Sequence, residues 1–107
     1  MKANGSNVLS RSIRFLARPE LVVHETPTPA DEEAERIIRD IASMYGSPDD
    51  ITVIKWGKRA QVQWVLPSKL PALRTVGGIF HGLEAIKDIA TVEKRDWERA
   101  NRYSLDH

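Results

Sequence analysis

Lys55, Trp56, Lys58, Arg59, Gln61 and Gln63 fall within a nine-residue stretch that contains no acid. Side chains of these types can meet a polyanion. Ammonium and guanidinium groups neutralise phosphates, an indole stacks on a base or sugar, and carboxamides reach base edges or backbone. The wider run from Ile51 to Arg74 adds Lys69 and Arg74 and is still free of acids. The preceding Leu21 to Asp50 reverses the balance, with Glu25, Asp31, Glu32, Glu33, Glu35, Asp40, Asp49 and Asp50 against Arg36 and Arg39. A formal net charge of +1 therefore conceals an acidic segment followed by a basic one. Clustered charge of one sign costs self-repulsion, so it can mark a surface that meets a partner.

The same residues suit an acidic protein surface, because Trp and Arg are enriched where binding energy concentrates. A plain alternative is a solvated turn whose Lys and Arg deter edge-to-edge aggregation.

Other candidates for chemistry are thinner. His81, Glu84 and Asp88 are spaced three and four apart, which on one helix would align an imidazole and two carboxylates for a metal ion or acid–base work. Gly82 interrupts that pattern, and no second cluster completes a site, so a surface helix face is expected there. His24-Glu25 stands alone beside a proline-rich turn. No serine lies in a G-x-S-x-G context, and Gly77-Gly78 with Gly82 lacks the spacing of a phosphate loop. Neither a catalytic residue, a metal nor a cofactor is expected. The reading is a non-enzymatic binding protein with nucleic acid as its favoured partner. A protein-interaction module such as a small inhibitor or adaptor is the alternative, and a metal-dependent enzyme a remote one.

A chain of 107 residues suits one domain with one core. Cysteine is absent, so neither disulfides nor zinc–thiolate sites can hold the fold, and a reducing cytoplasm is the natural setting. No apolar run approaches the roughly 20 residues of a membrane helix. Met1 to Ser10 reads as a disordered lead-in to a single domain over 11–107.

The elements that must position these groups follow from periodicity. Ile13 and Phe15 alternate with Arg14 as a short strand, and Leu21-Val22-Val23 offers a second β-branched patch beyond Pro19. Thr28 is an N-cap, Pro29 a first helical residue, and Asp31 sits three after the cap. Ala34, Ile37, Ile38, Ile41 and Tyr45 form one stripe, predicting a helix over Pro29–Tyr45 supported by Glu32–Arg36 and Glu35–Arg39 pairs. Ile51–Trp56 and Arg59–Leu66 are β-rich runs around Gly57-Lys58, predicting a hairpin with Val53 opposite Val62 and Ile51 opposite Trp64. Ile51, Val53, Val62 and Trp64 would then face the core. Thr52, Ile54, Trp56, Arg59, Gln61 and Gln63 would form a free face.

Ser68–Gly82 shows loose helical spacing that Pro71 and Gly77-Gly78 oppose. Leu83–Leu105 predicts a second helix. The expected fold is α+β: a small antiparallel sheet of the 51–66 hairpin and an N-terminal strand, with two helices on one face. A strand at 89–94 would instead give the βαββαβ order of a ferredoxin-like topology.

Overall fold

The computed structural model describes residues 18–45 and 49–106. The expected lead-in and the strand signal around Ile13 to Phe15 lie outside them. The chain runs β1 (Glu20–His24), α1 (Pro29–Met44), β2 (Thr52–Trp56), a short 3-10 turn (Pro67–Lys69), β3 (Ala72–Thr75), β4 (Gly78–His81) and α2 (Leu83–Asp106). It is an α+β domain with one mixed four-stranded sheet, in the order β2-β1-β3-β4.

The start of α1 follows its sequence signals closely. Thr28 caps the helix by accepting from the Asp31 N–H at 3.2 Å, and Asp31 answers by accepting from the Thr28 N–H at 2.8 Å. This reciprocal box satisfies donors that a helix start otherwise leaves open. Ala34, Ile38, Ile41 and Ala42 are buried along one stripe. Of the two expected ion pairs, Arg39 meets Glu35 at 3.0 Å, whereas Arg36 turns to Asp40 and Glu33 and leaves Glu32 aside.

The hairpin expected over Ile51–Leu66 is corrected. The chain does turn back, but around Lys58-Arg59, where Gly57 and Ala60 exchange backbone hydrogen bonds of 2.9 and 3.2 Å. Among the described residues only that one bridge forms, and no strand runs over 59–66. Instead β2 runs parallel to β1, with Leu21 beside Val53 and His24 beside Trp56. The physical reason is burial. Leu21, Val22 and Val23 are all buried, the continuous apolar run of a strand covered on both faces. A partner interrupted by Gln61 and Gln63 offers less apolar surface than that run.

Two clusters result, one on each side of the sheet. The helix side gathers Leu21, Val23, Ile51 and Leu73 with Ala34, Ile38, Ile41 and Ala42 of α1 and Ile86 and Ala90 of α2, and Val53 and Phe80 pack against it. Both helices thus cover one face, as expected. The opposite face holds Val22, Val65 and Ala72, flanked by Ile54, Trp56, Val62, Trp64 and Leu70. Val62 and Trp64, expected to meet α1, are therefore on the other side of the sheet. They belong to the segment between the bridge and the 3-10 turn, which folds over that face. Arg74 stands 5.0 Å from the Trp64 ring and pairs with Glu20.

The stretch 68–82 contains β3 and β4, joined by a two-residue connection at Val76-Gly77. Gly78 takes a φ of 138°, a region closed to residues with a Cβ, so the glycine pair makes a turn and not a joint between helices. Residues 89–94 are helical, and α2 continues without a break to Asp106. Its middle is tied to the end of α1 by Tyr45, whose ring meets Trp97 edge-on at 6.5 Å.

Candidate functional site

β1 and β2 are parallel, so their carboxyl ends and the amino end of α1 emerge on the same side of the molecule. Ligands of open α/β sheets favour that kind of edge, because loops there can be shaped without disturbing the strands. Two groups of side chains collect here.

The first is the basic turn. Lys55, Lys58 and Arg59 are exposed and line, together with Glu25, Gly57 and Ala60, a depression of about 430 Å³. The Glu25 carboxylate rests against the Cα of Gly57, so a side chain at that position would displace it. Among the described residues, Lys55, Lys58 and Arg59 form no ion pair, as is also true of Lys69, Lys94, Arg95 and Arg99, whereas Arg36, Arg39, Arg74 and Lys87 all do. What sets the turn apart is that its three cations line one depression. Gln61 and Gln63 are exposed on the segment leaving the bridge.

Trp56 does not share a face with Lys55. Alternation along β2 turns its indole to the opposite side of the sheet, where it is half-buried against the Val22, Val65 and Ala72 cluster. Of the six residues singled out by type and spacing, the structure therefore brings three cations together. It places two amides nearby in sequence and packs the indole elsewhere.

The second group had almost no sequence signature. Asp31 is 1 % exposed, and its Oδ2 accepts three hydrogen bonds: from the Thr28 N–H at 2.8 Å, the His24 N–H at 3.2 Å and the His24 ring Nδ1 at 2.7 Å. An ionised carboxylate can only accept, so Nδ1 carries the proton. Burial pushes the Asp31 carboxyl up, but the bonds from Thr28 and His24 outweigh it and hold the group below its usual value. Its Oδ1 is buried with no hydrogen-bond partner among the described residues. His24 ends β1 and Asp31 stands in the first turn of α1, so no single helical or strand period relates them. The capping-box spacing exposed Asp31 as a helix-start residue but gave no hint of its bond to β1.

His81, Glu84 and Asp88 do not share a helix face. His81 ends β4, α2 begins at Leu83, and Glu84 pairs with Lys87 at 3.7 Å. Among the described residues no group of three His, Asp or Glu side chains is arranged to hold a metal ion. No helix is long and apolar enough to cross a membrane, again among the described residues.

Compared with known proteins, the chain matches no protein family, no curated protein and no solved structure.

Proposed function

We propose that this is a non-enzymatic, cytoplasmic binding protein whose basic turn contacts a polyanion, with the nucleic-acid backbone as the favoured partner. The observation that carries the reading is the set of three cations without ion-pair partners among the described residues, gathered around one depression. Desolvating a cation already paired with a carboxylate gains little, whereas one without an ion pair is free to release counterions from phosphate, although Glu25 lines the same depression and offsets part of the charge. Trp56 is half-buried in the second cluster, so stacking contributes little to this mode. Binding then rests on phosphate contacts, with Gln61 and Gln63 as neutral donors, and sequence preference is weak.

A labelled single-stranded oligonucleotide tests this directly. Three phosphate contacts correspond to a slope of about −2 in log affinity against log salt, so raising salt from about 50 to about 200 mM weakens binding about 20-fold. Lys58→Glu with Arg59→Glu is expected to abolish binding at the lower salt, since the turn then repels phosphate. Salt-insensitive binding, or a double variant that binds like the parent, rejects the reading. If polyglutamate binds the same turn and the oligonucleotide does not, the partner is an acidic protein surface and the chain is an interaction module.

A further inference from the structure

We propose that β4 is a pairing edge through which two copies of this chain join their sheets, antiparallel and centred on Phe80. This goes beyond the basic turn, which lies at the far edge of the sheet beside β2.

The argument begins with backbone groups. β4 is the last strand of the sheet, and among the described residues only β3 pairs with it. The two-residue connection makes Thr75 and Gly78 the closing pair of the hairpin, so bonding and non-bonding pairs alternate from there. Leu73–Phe80 is then a bonded pair, and the Gly82 N–H donating to the Pro71 carbonyl at 2.7 Å continues the same alternation. Ile79 and His81 consequently direct their N–H and C=O groups away from β3. No turn or loop backbone bond among the described residues uses them.

That pattern is self-complementary. With Phe80 opposite Phe80 of a second copy, Ile79 falls opposite His81 of that copy, and each such pair exchanges two hydrogen bonds. The two-fold axis repeats the exchange, and all the outward groups of both strands are used.

Side chains point to the same edge. The exposed large apolar residues among those described are Leu66, Val76, Ile79 and Val92. Three of them surround β4. Ile79 lies in the strand and is 44 % exposed, Val76 lies in the turn at 68 %, and Val92 of α2 at 45 % shares a small depression with Phe80. Neutrality matters equally. β4 reads Gly-Ile-Phe-His, with no Lys, Arg, Asp, Glu or Pro to discourage edge pairing. The opposite edge differs, for β2 carries Lys55 and the chain folds back beside its end at Ala60. Charge therefore favours a second copy at β4 and opposes one at β2.

Sedimentation of the full chain from about 5 to about 500 µM tests the proposal, since association follows mass action. The expected result is a species of twice the 12.1 kDa chain mass at the upper end. Ile79→Lys, which sets a charge at the join, is expected to remain monomeric throughout with an unchanged circular dichroism spectrum. Should that variant fail to fold, Ile79→Thr keeps strand propensity while removing apolar area, and is expected to weaken association at least tenfold. Hydrogen exchange supplies a position-specific readout. The Ile79 and His81 amides are expected to slow at least tenfold with rising concentration, while the Phe80 amide, already bonded to Leu73, changes less. A monomer at every concentration overturns the proposal, as does a dimer that persists in the folded Ile79 variant, or concentration-dependent protection confined to β2 or α2. A monomer that instead captures an extended peptide at β4 also overturns it, because the occupant is then another protein.

Discussion

Replacing Asp31 with alanine is expected to lower folding stability by about 3 kcal/mol, measured as a fall in the urea midpoint without a change of slope. The carboxylate is 1 % exposed and accepts from two backbone amides and one imidazole of part-buried residues. Removing it leaves the His24 and Thr28 amides facing a cavity, and each unmet donor costs about 1–3 kcal/mol when buried. Thr28→Ala serves as the internal comparison. It removes only the side-chain cap on the Asp31 amide and is expected to cost about 1 kcal/mol. A melting curve for Asp31→Ala no lower than that of Thr28→Ala would show that the β1–α1 junction draws nothing from its bond to His24.

The same carboxylate gives this stability a pH dependence of definite sign. In the unfolded chain Asp31 titrates as an ordinary carboxylate, whereas in the folded protein it is held lower by its hydrogen bonds. Its contribution is complete above the unfolded value and disappears as pH falls through the folded one, because the unfolded chain then binds the proton first. Asp31→Asn removes that proton and keeps one acceptor oxygen. The stability gap between parent and Asp31→Asn is therefore expected to narrow as pH falls below about 4. A gap that keeps widening below about pH 4 contradicts the assignment.

How much of this could be read from the chain depended on the range of each interaction. The α1 start was legible because cap, proline and acid act within four residues, and its buried stripe follows the local period of 3.6. The second helix was legible for the same reason. Strand pairing was not. Ile51–Trp56 has the same alternation whether its neighbour is the next run or a strand thirty residues earlier, and only the competition between those neighbours decides. One local sign was present. Ile54 and Trp56 are apolar on the face assigned to solvent, and in the folded chain they pack under Trp64 and Val65. Of the site, the charges were legible and their grouping was not. Lys58 and Arg59 needed only the turn, and strand alternation alone parts Lys55 from Trp56, but the packing of that indole required knowing that both faces of β2 are covered.

Leu21→Ala is expected to have the largest effect of any single truncation in the sheet, about 3–5 kcal/mol. Leu21 is fully buried in β1, beside Val53 on one side and Leu73 on the other, beneath the two helices. Strands and helices both close on this side chain, so the surroundings cannot collapse into the space it leaves without separating one pair or the other. A domain of this size has roughly 5–15 kcal/mol in total, so the variant sits near the edge of folding. With a slope of about 1.5 kcal/mol per molar urea, its midpoint is expected to fall by about 2 M or more. Val53→Ala tests the geometry behind that number. Val53 is half-buried at the sheet edge, where neighbours can shift inward, and its loss is expected to cost about 1–2 kcal/mol. Equal losses at the two positions would mean that β2 is as enclosed as β1. The antiparallel hairpin with Arg59–Leu66 would have produced that result, because it places β2 in the middle of the sheet. The parallel pairing with β1 predicts a clear inequality.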